Sequence, residues 1–251
     1  MKRMLIMTGG TKRNLNYARK AAYAIKENPV DVQCVIATRK SDPEIATITQ
    51  QILCPDKPIF WSGRPWKNKA IMSFIRANCD IGISTGFDYI VSKDLLNVLP
   101  IINCHPSYLP FNRGCHHSFW GIMEKTVLGG TIHWMDAGLD TGPIIAQKQF
   151  FDNGTMTAGK IQEKSEAICV ELIKENLEKI LSGEAESIVQ GIGTYHSREE
   201  INTASTIKSG ESIEVDDLFD LCRATACNKN GFFIIKGYKK FWIRIYEVEE
   251  V

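Results

Sequence analysis

The amino-terminal half of the chain alternates short, nearly continuous apolar runs with longer amphipathic stretches. Arg3 to Thr8 (R-M-L-I-M-T) and Val32 to Thr38 (V-Q-C-V-I-A-T) read as buried strands. Between them, from about Arg13 to Glu27, Leu15, Ala18, Ala22 and Ile25 fall near one helical face. A strand, a turn at Gly9-Gly10, a helix and a second strand predict a right-handed crossover and a parallel sheet. The pattern continues with a helix over Ser41 to Ile52, with Pro43 near its start, an extended piece over Lys57 to Trp61, and a helix from about Trp66 to Asn78. Asp80 to Ser84 is a further short strand, and Ser92 is placed to cap a short helix. The apolar run Leu99 to Ile102 then leads a strand into Asn103.

Further along, His116 to Lys125 reads as helical. Gly130 to Asp136 and Pro143 to Phe150 read as strands flanking the glycine-bearing loop Ala137 to Gly142. A long amphipathic helix spans Thr157 to Leu181, marked by Ile161, Ile168, Leu172, Leu177 and Ile180 and ended by Gly183. After Thr194-Tyr195-His196 the chain turns polar (S-R-E-E-I-N-T-A-S-T) and is expected to be a linker or exposed loop. A short helix over Val215 to Ala224 precedes two extended runs, G-F-F-I-I-K and K-F-W-I-R-I-Y-E-V, joined through Gly237-Tyr238 as a hairpin. The expected organisation is a core domain over residues 1–195 and a small extension over residues 196–251 packed on it.

Composition narrows the class. A chain of 251 residues, 44% hydrophobic and 24% charged, suits a soluble globular protein with a sizeable core. A formal charge of +1 argues against a strongly electrostatic nucleic-acid or membrane partner, yet allows a small anionic substrate. No apolar stretch approaches the ~20 residues of a membrane span, and no long apolar region follows the charged start, against a secretory signal. Eight cysteines are scattered, several in apolar runs (Cys34, Cys169, Cys222), as buried free thiols in a reducing cytoplasm would be.

The candidate chemistry lies between Asn103 and Asp140. Alternation along the strand places Asn103 and His105 on one face and Cys104 on the other. Pro106, Pro110 and Gly114 then keep the chain in turns. An amide and an imidazole thus sit together at a strand's carboxyl end, where open α/β sheets bind ligands, although each alone could simply satisfy loop backbone groups. Cys104 and His105 face opposite ways and make a poor nucleophile–base pair. Cys115-His116-His117 makes a poor metal site, because adjacent residues rarely converge on one ion and no C-x-x-C is present, so no metal requirement is expected. Two readings of the turn Thr8 to Leu15 stand side by side: a phosphate cradle assisted by Lys12 and Arg13, or a tight turn with solvated basic residues.

The segments N-C-H-P-S-Y-L-P-F-N-R-G, G-G-T-I-H and L-D-T-G-P-I-I resemble the signature of folate-dependent formyltransferases, over roughly residues 80 to 150. This resemblance implies a Rossmann-like α/β fold with a mostly parallel central sheet, here carrying a carboxyl-terminal helix and β-hairpin. It implies a catalytic trio of Asn103, His105 and Asp140, and a folate pocket formed by Tyr89, Ile90, Val91, Asp136 and Asp140. Val91 stands where the family usually has leucine. The formyl donor implied is N10-formyltetrahydrofolate.

The residue types suit that chemistry. Asn103 can donate to the oxygen that gains negative charge in a tetrahedral intermediate. An imidazole ordinarily titrates at about pH 6.5, so His105 can take the amine's proton, and Asp140 can orient it. The H-H-S-F-W-G-I segment and the tail from Tyr195 resemble sugar N-formyltransferases, which implies a nucleotide-linked amino-dideoxy sugar as acceptor in surface polysaccharide (O-antigen) synthesis. A purine-pathway glycinamide ribonucleotide enzyme and a non-catalytic folate-binding homologue are the alternatives. Expected partners are these small molecules, without nucleic acid or membrane, and a homodimer is allowed.

Overall fold

A computed structural model describes residues 1–38, 40–226, 232–236 and 238–243. Its centre is a seven-stranded sheet. The strands are β1 (Lys2–Thr8), β2 (Val30–Ala37), β3 (Ile59–Trp61), β4 (Ile81–Thr85), β5 (Ile101–His105), β7 (Leu128–Trp134) and β8 (Ile144–Phe150), while β6 (Arg113–Gly114) lies outside it. Their order is β3-β2-β1-β4-β5-β7-β8. The first five are parallel; β7 and β8 run antiparallel at one end. The chain winds outward from β1 in both directions, so the strand order reverses between β1 and β4. A crevice at the carboxyl ends of the strands follows from that reversal.

Helices cover both faces, which is why β1 and β2 are apolar at nearly every position rather than alternating. Met4 and Ile6 pack with Tyr17, Ala21 and Ile25 of α1 (Leu15–Lys26) and with Ile168, Leu172 and Leu177 of α6 (Ala158–Ser182). Leu5 and Met7 point the other way, onto Ile71 and Ile75 of α3 (Lys69–Asn78) and Leu95 of α4 (Lys93–Leu96). Each fully buried Leu, Ile or Met among them contributes about 1.5–3 kcal/mol relative to exposure. The remaining helix of the first half, α2 (Pro43–Leu53), has Pro43 in its first turn and is capped by Asp42, whose side chain accepts from Glu44 N. Helix α6 starts at Thr157, whose side chain accepts from Lys160 N, and ends at Gly183 in the left-handed conformation, φ 84°.

Three expectations need correction. Helix α3 starts at Lys69 rather than Trp66, because the Asn68 side chain accepts from Ala70 N and Ile71 N and caps it there. Ser92 precedes α4 but makes no side-chain cap, and among the described residues its buried hydroxyl has no partner. The polar stretch after His196 is not a loop: it forms α7 (Glu200–Ala204) and β10 (Thr206–Lys208). Its few apolar residues, Ile201, Ala204 and Ile207, are spaced to face one cluster, and Glu200 accepts from Ser197 N to hold the first turn.

That cluster joins the carboxyl-terminal part to the rest. Leu221, Cys222 and Ala224 of α8 (Val215–Thr225) and Phe232 of β11 (Phe232–Lys236) bury against Phe119 and Ile122 of α5 (His117–Met123) and Ala158 and Ile161 of α6. Strand β11 pairs in parallel with β10 and antiparallel with β12 (Lys239–Ile243), giving the hairpin. Gly237, expected to help join the two strands, and the stretch beyond Ile243 including Tyr246 lie outside the described residues. One further short strand, β9 (Tyr195–His196), pairs with β6 and brings the chain back across the mouth of the crevice. Among the described residues no helix is long and apolar enough to cross a membrane.

Candidate active site

The crevice opens into a cleft of about 700 Å³. Its floor is the end of β5. There the antiparallel register sets Asn103 opposite His133 and His105 opposite Thr131. Cys104, between them, packs into the core with Ile132. Burial pushes its thiol up to about 12, so it is not a thiolate at neutral pH.

Asp140 arrives from the loop between β7 and β8 in the left-handed conformation, φ 54°. Two features hold that loop. Asp136 Oδ1 accepts from Gly138 N at 3.0 Å and Thr141 Oγ1 at 2.7 Å. Gln190 Nε2 donates to the carbonyls of Asp140 at 2.9 Å and Gly142 at 2.7 Å. Arg113 in turn donates to Gln190 Oε1, fixing which way that amide faces.

The three side chains meet. Asn103 Nδ2 donates to Asp140 Oδ1 at 3.1 Å, and its second N–H faces His133 Nε2 at 3.2 Å. Asp140 Oδ2 accepts from Gly114 N at 2.9 Å and lies 3.6 Å from His105 Nδ1. His105 Nε2 meets the carbonyl of Asn112 at 3.1 Å. Both ring nitrogens of His105 therefore face acceptor oxygens, so the ring can hold two protons with a partner for each. His133 Nδ1 donates to the carbonyl of Trp134 at 2.8 Å, which leaves Nε2 free to accept from Asn103. Burial opposes ionisation of Asp140, but the His105 charge, the His133 interactions and the Gly114 N–H outweigh it and hold the carboxyl well below the usual range.

The loop after β4 forms one wall. Gly86 takes φ 81°, and Phe87 and Tyr89 lie with ring centroids 6.1 Å apart. The aromatic ring of Tyr89 packs over Gly63, where a Cβ would lie 2.9 Å from its Cζ. Tyr89, Ile90, Val91 and Asp136 line the same cleft as Asn103, His105 and Asp140. Ile90 is 70% exposed and leaves an apolar surface beside the loop backbone. The wall is aromatic and apolar, a lining that suits a flat ring.

The turn after β1 closes on itself. Gly10 N donates to Ser41 Oγ at 3.2 Å, and the Asp88 carboxylate accepts from Thr38 Oγ1 at 2.9 Å and Ser41 Oγ at 3.3 Å. A Cβ at Gly9 would lie 2.9 Å from Asp88 Oδ2. A carboxylate already occupies the space beside this glycine turn.

Several contributors were not singled out as site residues from the sequence: His133, Asn112 through its carbonyl, Gly114 through its N–H, Gln190, and His117 with Gln162 and Glu166. His133 is the histidine of the G-G-T-I-H segment and carried a signal; Gln190 lies in a featureless stretch and carried none. Among the described residues no group of three His, Cys, Asp or Glu side chains is placed to hold a metal ion.

Residues 2–175 match a family model described as formyl transferase. Among curated proteins, the methionyl-tRNA formyltransferase of Acetivibrio thermocellus is 28% identical over 173 residues, 65% of this chain and 54% of that protein. The chain spans about a third to a half of the length of the curated relatives it matches. Among solved structures, a sugar N-formyltransferase from Shewanella sp FDAARGOS_354 superposes with TM-score 0.81 at 19% identity, covering all of both chains. The N-formyltransferase of Helicobacter canadensis, in complex with folinic acid and dTDP-3-aminofucose, gives TM-score 0.68 at 20% identity, covering 96% of this chain and 86% of that one. At these identities the likeness is one of fold.

Proposed function

The chain belongs to the formyl transferase family, and from that premise we propose that it moves the formyl group of N10-formyltetrahydrofolate onto the amino group of a nucleotide-linked amino-dideoxy sugar. The observation that carries the chemistry is the meeting of Asn103, His105 and Asp140 on one wall of a single cleft. The folate supplies the formyl carbon, and the loop from Gly86 to Val91 with Asp136 would hold its ring.

Asn103 gives up the N–H now on Asp140 to the formyl oxygen as negative charge develops there. Asp140 keeps the Gly114 N–H and the His105 edge, and remains charged. His105 receives the proton released by the amine, directly or through one water, and Asp140 stabilises the doubly protonated ring; as the intermediate collapses the formyl carbon–N10 bond breaks and that proton returns to N10, releasing tetrahydrofolate. Once charged, the His105 ring faces Asn112 O and Asp140 rather than an unpaired buried environment.

The acceptor reading rests on two supports. The fold likeness to sugar N-formyltransferases runs the full length of this chain, through the β-hairpin. At the turn after β1 the Gly10 N–H is bonded to Ser41 Oγ and the Thr11 N–H to Asn14 Oδ1, and the Asp88 carboxylate beside Gly9 opposes a phosphate. That counts against a phosphate-anchored acceptor such as glycinamide ribonucleotide. The test is an acceptor panel with purified protein and formyl-folate: nucleotide-linked amino sugars, glycinamide ribonucleotide and methionyl-tRNA. Formylation of an amino sugar with the best kcat/KM supports the reading. Preference for glycinamide ribonucleotide or methionyl-tRNA overturns the acceptor, and folate binding without transfer to any amine overturns the activity.

A further inference from the structure

The cleft contains a second polar assembly that the trio does not use. His117, at the start of α5, lies edge-on to His105 with ring centroids 5.5 Å apart. Its Nε2 meets Gln162 Oε1 at 2.6 Å, and Ser118 Oγ donates to that same oxygen at 3.1 Å. Gln162 Nε2 donates to Glu166 Oε1 at 2.7 Å, where Asn14 Nδ2 also donates at 3.0 Å. All five side chains line the cleft.

The chain of bonds has one self-consistent direction. Glu166 Oε1 accepts from Asn14 Nδ2, whose amide is oriented by the Thr11 N–H on its Oδ1, so Gln162 turns its NH₂ to that same acceptor and its oxygen to His117. Nε2 lies 2.6 Å from that oxygen, where two lone pairs would repel, so the His117 proton sits on Nε2 and Nδ1 carries the lone pair. Burial, reinforced by the neighbouring His105, pushes the His117 ring down to about 3, so the lone pair persists at neutral pH. Among the described residues Nδ1 has no hydrogen-bond partner. Both nitrogens of His105, by contrast, already face protein oxygens.

We propose that His117 Nδ1 accepts a hydrogen bond from the amino group of the acceptor and orients its lone pair toward the formyl carbon, with Gln162 and Glu166 as positioning residues that fix the His117 tautomer. The proposal rests on the amine-formylating reading above. It assigns to α5 and α6 a part in acceptor recognition distinct from the folate wall. A neutral imidazole suits this role. It is too weakly basic to trap the amine as an ammonium ion, and it binds the N–H without consuming the nucleophilic pair.

Two substitutions at His117 separate this from a packing role. Asparagine places its amide oxygen near the position of Nδ1, whereas glutamine reaches the position of Nε2. With the amino-sugar acceptor, His117→Gln should lower kcat/KM about tenfold, the scale of one lost hydrogen bond, while His117→Asn retains most of it. Gln162→Leu should behave like His117→Gln, and affinity for 5-formyltetrahydrofolate should be unchanged in all three. In wild-type protein the ¹⁵N resonance of His117 Nδ1 should be that of an unprotonated nitrogen. It should shift on adding the acceptor, and not on adding its analogue with hydrogen in place of the amine. A protonated Nδ1, an equal shift with both ligands, or wild-type kinetics in both His117→Gln and Gln162→Leu would overturn the proposal. If the His117 variants do not fold, Gln162→Leu and the wild-type spectrum decide. Absence of any transfer by wild-type protein would instead remove the proposed function itself.

Discussion

Replacing Asp140 by asparagine keeps the shape and changes only charge and hydrogen-bond direction. Oδ1 accepts from Asn103 at 3.1 Å, and Oδ2 accepts from Gly114 N at 2.9 Å beside His105 Nδ1 at 3.6 Å. Donors therefore stand on both sides, and an amide must turn its NH₂ toward one of them. Leaving one such buried pair unmatched costs about 1–3 kcal/mol, and the variant also loses the counter-charge for a doubly protonated His105. Together these predict a fall in kcat of about 10²–10³-fold, or ~2.7–4 kcal/mol in the barrier.

Stability should respond to pH in a defined direction. The folded-state pKa of Asp140 is depressed, so its contribution is complete above the unfolded value of about 3.9 and is lost as pH falls from there toward the folded value. Asp140→Asn should lack this acid-side loss. Steady-state formyl transfer near neutral pH gives the first quantity, and urea midpoints measured from neutral pH down through the carboxylate range give the second. A variant that binds folate normally and turns over within about threefold of wild type would refute the reasoning, since no donor-facing carboxylate would then be needed.

Four other outcomes follow from the same geometry. Gln190→Ala removes the bonds to the carbonyls of Asp140 and Gly142 and leaves Arg113 with the Gly191 carbonyl in place of the Gln190 amide, so urea titration should show a loss of about 2 kcal/mol and kcat should fall with it. Gly9→Ala drives a Cβ to 2.7 Å from the Gly86 carbonyl, so it should cost about 1–3 kcal/mol and lower the midpoint of thermal unfolding; an unchanged midpoint would contradict the close packing there. Lys12→Ala combined with Arg13→Ala should barely change KM for a nucleotide amino sugar; a large rise would restore the phosphate-cradle reading of the glycine turn. Transfer should survive exhaustive chelation, and strict dependence on added zinc or iron would contradict the mechanism.

The sheet and its site were unequally legible in the chain. Strands β1, β2, β4 and β5 are apolar because both faces are covered, and that pattern needs no knowledge of partners. Asn103 and His105 share a face by simple alternation, and Asp140 stands in a loop whose glycines and left-handed backbone are local properties. What escaped depends on pairing across distance. His133 joins the site because β7 runs antiparallel to β5 with that residue opposite Asn103. Gln190 matters only because its loop returns beneath Asp140, and nothing in its own neighbourhood signals that. Helix α7 was hidden for a related reason: two apolar residues among polar ones, Ile201 and Ala204, suffice once α5 and α8 supply the other wall. The His117–Gln162–Glu166 assembly joins residues from two helices, and only folding reveals that they touch.

The most direct test of formyl transfer through this site follows an isotopically labelled formyl group from N10-formyltetrahydrofolate in a single turnover, in wild-type protein and in Asn103→Ala. In wild type, the label should pass from the folate to the amine of a nucleotide-linked amino sugar. In Asn103→Ala, folate and acceptor should bind with near-normal affinity, while transfer slows by about 10²-fold or more through loss of the donor at the formyl oxygen. Transfer at the wild-type rate in the folded variant, or label that leaves the folate only as free formate in wild type, would contradict it.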